Sequence, residues 1–121
     1  MMLPRLILAA GLLATTAVCA HEVAGKNGGR VADAGKYHVE LVAKDKTIDV
    51  YLLDGGEKPV PAEGFKGTAI LVVDGKPARV TLAPSDGSRL TGTSEVSLGA
   101  KPKGAVQLTA PDGSTSSGKF N

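Results

Sequence analysis

From Gly35 to Asp54 the chain alternates apolar and polar side chains with a period of two. Tyr37, Val39, Leu41 and Ala43 interleave with His38, Glu40 and Val42, and Ile48, Val50 and Leu52 interleave with Thr47, Asp49 and Tyr51. Successive side chains on a strand point to opposite faces, so this pattern predicts two half-buried strands joined at Lys44-Asp45-Lys46. The apolar set faces a core. His38, Glu40, Asp49 and Tyr51 then share the outer face.

The rest of the chain continues in the same style. Asp54 to Lys66 is a loop rich in Gly and Pro that is expected to cross between sheets. Ala69-Ile70-Leu71-Val72-Val73 is nearly continuous in apolar residues, the mark of a strand covered on both sides. Asp74-Gly75 is a two-residue hairpin signal, after which Ala78, Val80 and Leu82 alternate. A turn at Ala83 to Gly87 leads to a short strand at Arg89 to Thr93 and a weak one at Glu95 to Leu98. Beyond the loop Gly99 to Gly104, Ala105 to Thr109 and Ser116 to Phe120 form a closing hairpin around Pro111-Asp112-Gly113. Short strands, turn signals roughly every ten residues and no helical period predict an all-β domain. Its expected architecture is a single antiparallel β-sandwich, immunoglobulin-like, of seven or eight strands over 35–121. The Cys-Trp-Cys core of antibody domains is absent, so only the architecture is implied. Residues 21–34 read as a flexible, Gly-rich N-terminal arm with a short edge strand at Arg30-Val31-Ala32.

The first twenty residues stand apart. Arg5 precedes the apolar run Leu6 to Ala14, and Val18-Cys19-Ala20 ends in small residues where a signal peptidase reads. This predicts a secretory signal peptide over 1–20, cleaved after Ala20; the run is short for a membrane anchor. Cys19 lacks the preceding residues of a lipoprotein signal. Cleavage places the protein in the periplasm, with no membrane insertion afterwards. It also removes Cys19, Met1 and Met2, so the mature chain carries no sulfur and hence no disulfide, thiolate metal site or Cys nucleophile.

Charge narrows the field further. Losing Arg5 leaves 13 basic residues against 12 acidic ones, scattered along the chain and not interleaved with the few aromatics. Nucleic-acid binding is not expected. No nucleophile elbow, P-loop or dinucleotide fingerprint is present, and Asn27-Gly28-Gly29 has no helix after it to bind phosphate. The chain is therefore expected not to be an enzyme.

Metal binding is the sharper hypothesis, because histidine discriminates and only His21 and His38 are present. His38 and Glu40 are two apart on one strand and point the same way, with Asp49 on the neighbouring strand at an undetermined register. An imidazole with carboxylates suits zinc or copper(II). After cleavage at Ala20, His21 becomes the N-terminus, where its α-amine and Nδ1 can chelate one ion and His38 can supply a third nitrogen. The expected ligands are thus His21, His38 and Glu40. The competing readings are a solvated outer face at His38 and Glu40, and a first residue that belongs to no site.

Asn27-Gly28-Gly29-Arg30-Val31, followed by Gly35-Lys36-Tyr37-His38-Val39-Glu40-Leu41 and the turn Glu57-Lys58-Pro59-Val60, resembles a known module. It is the N-terminal periplasmic module of adaptor proteins in heavy-metal RND efflux systems, shared by small free-standing periplasmic proteins. They carry an HGG…G-x-x-H-x-E-L pattern, and the resemblance runs through Thr81. It implies a periplasmic domain tied to heavy-metal handling, with His38 and Glu40 at matched positions and a metal-efflux or other envelope protein as partner. The first His of the pattern is Asn27 here, so an inherited site has lost a donor. The alternative reading is a structural or protein-interaction β-sandwich of the envelope that docks by an exposed sheet edge and binds no metal.

Overall fold

The structure is a computed structural model, and it describes residues 23–121. Nine antiparallel strands follow in chain order: β1 (Val23–Ala24), β2 (Arg30–Ala34), β3 (Tyr37–Lys44), β4 (Thr47–Leu53), β5 (Lys66–Val73), β6 (Lys76–Pro84), β7 (Arg89–Thr93), β8 (Lys103–Thr109) and β9 (Thr115–Phe120). No helix occurs among the described residues, and none there is long and apolar enough to cross a membrane. The all-β, antiparallel expectation therefore holds. The arrangement differs from two separate layers: hydrogen bonding runs through one curled sheet in the order β1-β2-β3-β4-β7-β6-β5-β8-β9.

Strand β6 makes the sheet continuous. Residues Lys76 to Leu82 pair with β5, whereas the last two residues, Ala83 and Pro84, pair with Thr91 and Leu90 of β7. One half of the sheet is thus β1-β2-β3-β4-β7, the other β6-β5-β8-β9, and their apolar faces enclose a shared core. Val39, Ile48, Val50 and Leu52 enter it from the first half; Ala69, Leu71, Val80, Val106, Leu108 and Phe120 enter from the second. Each buried Val, Leu, Ile or Phe contributes about 1.5–3 kcal/mol by leaving water. The predicted inner face of the β3–β4 hairpin is this core, with Tyr37 half-buried at its margin in an edge-to-face contact with Phe65.

The curl brings β9 back against β2. A Cβ at Gly118 would stand 2.9 Å from Val39 Cγ2 and 3.2 Å from the Asp33 carbonyl oxygen, so only a glycine lets the two strands approach this closely. Arg30 clasps the same seam. Its guanidinium lies 5.4 Å from the centre of the Phe120 ring and donates to the carbonyls of Asn121 and Pro102.

Several expectations change. The arm expected over 21–34 is sheet from Val23 onward, except for the turn at 25–29. β2 lies between β1 and β3 with Ala32 and Ala34 buried, so a boundary at residue 34 falls inside a β-hairpin. The weak strand at Glu95 to Leu98 is instead a segment tethered to the β3–β4 turn: Ser94 N–H donates to Lys46 O, and Leu98 N–H to Asp45 O at 2.8 Å. The apolar run in β5 is covered on one side only. Ala69 and Leu71 are buried, but Ile70 is half-buried and Val72 is 50% exposed on the outer side. The Asp74-Gly75 turn forms as predicted, with φ of 52° and 78°, the left-handed pair that a two-residue hairpin of this type demands.

Candidate functional site

The register places His38 opposite Asp33 on one side and Leu53 on the other. Asp33 and His38 flank the two-residue turn Gly35-Lys36, where Gly35 adopts φ of 63° and lets β2 fold straight back into β3. His38 Nε2 stands 3.2 Å from Asp33 Oδ1, with the imidazole about a quarter exposed. That contact puts the proton of a neutral ring on Nε2. The other nitrogen, Nδ1, is buried and has no hydrogen-bond partner.

Glu40 does share the outer face with His38, but it lies under the loop that joins β1 to β2. It is 2% exposed. Oε2 accepts the backbone N–H of Asn27 at 2.8 Å and of Gly29 at 2.9 Å, and Oε1 accepts Asn27 Nδ2 at 2.9 Å. The loop reaches over the carboxylate because residue 25 has no side chain: a Cβ there would stand 2.1 Å from Glu40 Cδ. Both oxygens of Glu40 therefore hold the turn Gly25 to Gly29, which satisfies a carboxylate that would otherwise be costly to bury.

Asp49 is opposite Val42, two rows along the hairpin from His38. It accepts Thr91 Oγ1 at 2.8 Å and faces the Arg89 guanidinium at 3.6 Å. Arg89 in turn donates to Asp86 at 2.8 Å and to Ser85 Oγ at 3.0 Å. Desolvation works against its charge, but the Asp49 and Asp86 carboxylates outweigh that and raise its pKa above the ordinary value. Asp49 thus belongs to an ion-pair network rather than to a site with His38.

Beside these residues lies a cleft of about 330 Å³ on the outer face, walled by Val23, Val31, Tyr51, Leu53 and Pro59 with Glu40 beneath. Its far rim is the turn 54–58, where Asp54 Oδ1 accepts the N–H groups of Lys58 and Gly56. The Lys58 bond is the main cause that holds the Asp54 carboxyl below its ordinary value.

His21 lies outside the described residues. Among those described, no three His, Cys, Asp or Glu side chains stand together as a metal would require. The residue that sequence reasoning missed is Asp33. Its signal is present, since a two-residue turn at Gly35-Lys36 sets Asp33 against His38 by counting, but the edge strand expected at Arg30-Val31-Ala32 stops one residue short of it. No family model, curated protein or solved structure matches the chain.

Proposed function

We propose that the protein is a non-enzymatic periplasmic domain that takes a copper or zinc ion through His38 together with His21. The observation that carries this reading is the His38–Asp33 pair. A metal-ligating imidazole characteristically donates its second ring N–H to a carboxylate, which fixes the tautomer and raises the basicity of the ligating nitrogen. Asp33 does this at Nε2, and the partnerless Nδ1 is the nitrogen left with a lone pair.

Chain length supports a contribution from His21. Only Glu22 separates it from Val23, so their Cα atoms lie within about 7 Å of one another. Val23 pairs with Val31, and Asp33 is two residues beyond Val31 in the opposite direction along the ladder. The covalent tether therefore keeps residue 21 within about 7 Å of the strand end that pairs with β2, the strand that carries Asp33. An α-amine and imidazole from His21 with one nitrogen from His38 would give three donors suited to copper(II) or zinc. Glu40 enters this reading as the residue that anchors β1, not as a ligand.

Titration of copper and zinc into protein that begins at His21 tests the reading. His38→Ala, or one extra residue ahead of His21, is expected to weaken binding at least tenfold. The reading fails if neither change matters, or if the protein shows no affinity tighter than about 10 µM.

A further inference from the structure

We infer that the outer face of the β6-β5-β8-β9 half docks on an anionic lipid surface. The pairing aligns Arg79, Ile70, Ala105 and Lys119 in one row across four strands, with Pro77, Val72 and Lys103 in the next. Lys66 projects from the same side at the start of β5. The outward positions of these strands hold four cations and no carboxylate. The opposite outer face is balanced, with Asp33 and Asp49 set against Lys44 and Arg89 and Glu40 buried beneath the turn 25–29. Near-neutral overall charge therefore conceals one face whose charges are all positive.

Three features favour lipid over an acidic protein. Arg79, Lys103 and Lys119 are exposed on three different strands, and no ion pair with a described carboxylate ties any of them to one geometry. Arg79 and Lys119 are three strand spacings apart, roughly 14 Å, which suits a fluid array of phosphates better than a fixed carboxylate. Between the cations stand Ile70 and Val72, an apolar strip on the side of β5 that no other layer covers. Branched aliphatic side chains ringed by cations match the boundary between headgroups and acyl chains.

The experiment is co-sedimentation of the purified protein with phosphatidylcholine vesicles, with and without phosphatidylglycerol. Arg79→Gln/Lys103→Gln/Lys119→Gln is compared with Lys44→Gln/Lys46→Gln/Lys58→Gln, which makes the same charge change on the other half. Both variants keep the parent N-terminus, so any binding by that segment is common to all. Each cation at an anionic surface contributes about fivefold, so the first variant should lose about a hundredfold in partition to anionic vesicles. The second should stay within a few-fold of the parent, and added salt should weaken the parent. Equal losses in both variants would reduce the effect to net charge and overturn the proposal. So would no loss in either, or a face-dependent retention on immobilised polyglutamate without vesicle binding, which would point to an acidic protein. Unchanged thermal melts of both variants confirm that the comparison is between folded proteins.

Discussion

Asn27 holds Glu40 twice: its backbone N–H donates to Oε2 at 2.8 Å and its side-chain amide donates to Oε1 at 2.9 Å. In the pattern that this stretch resembles, those two positions are a His and a Glu, which suggest metal ligands when read as letters. Here the pair is a latch. It fastens the turn 25–29, and with it β1, onto the outer face of β3. Asn is a poor ligand for a transition metal, but it donates a neutral hydrogen bond as well as an imidazole does.

Glu40→Ala removes the acceptor for three N–H groups beneath the turn. The stability loss is expected to be about 3 kcal/mol, because buried donors left without partners cost more than the net value of their bonds. Thermal or urea unfolding measures it. Asn27→His restores a side-chain donor and should stay within about 1 kcal/mol of the parent, whereas Asn27→Asp sets two carboxylates together and should not.

Gly25→Ala should cost nearly as much as losing Glu40, although residue 25 needs no left-handed backbone. The added methyl would fall 2.1 Å from Glu40 Cδ and push the carboxylate out from under the turn. Its effect should therefore shrink when Glu40 is already Ala. A double-mutant cycle with a coupling of at least about 1 kcal/mol is the expected result; strict additivity would show that the latch is not a unit.

Asp33→Ala is predicted to weaken metal binding roughly 10–100-fold while leaving the fold intact, since Asp33 orients His38 without ligating. Isothermal titration together with a melt separates the two effects. Equal affinity in the variant would remove the observation on which the metal reading rests.

The acid response should begin at turns rather than in the core. Asp54 is held below its ordinary value of 3.8, chiefly by the Lys58 N–H. Asp112 is held low by the hydroxyl and N–H of Ser114. A depressed carboxyl contributes stability that is complete above its unfolded value and is lost as pH falls through the lower, folded one. NMR should show the amides of Gly56, Lys58 and Ser114 shifting together only below that ordinary value. Shifts of these amides near neutrality would contradict the assignment.

Much of the β3–β4 hairpin was legible because period two is a local property. Val39, Leu41, Ile48, Val50 and Leu52 declare their face in sequence, and the structure buries all five. β2 was less legible. Ala32 and Ala34 are too small to mark a core strand by hydrophobicity, and their burial depends on β9 arriving with Gly118. The candidate site was partly legible: His38, Glu40 and Asp49 do lie on one outer face, as alternation required. Which of them could act together was not. The register puts Asp49 two rows away and the loop 25–29 on top of Glu40, while it brings Asp33 to His38.

By itself the sequence determined most of the strands, most of their inward faces, the hairpin at Asp74-Gly75 and the all-β class. Each of these follows from alternation and turn chemistry within a few residues. Only the tertiary structure decided that one sheet curls on itself through β6, that Glu40 is a latch, and that four scattered cations from four different strands share a face. These facts depend on pairings between residues far apart in the chain. Such pairings are set by how the two halves of the sheet bury one another, and the order of residues along the chain does not state them.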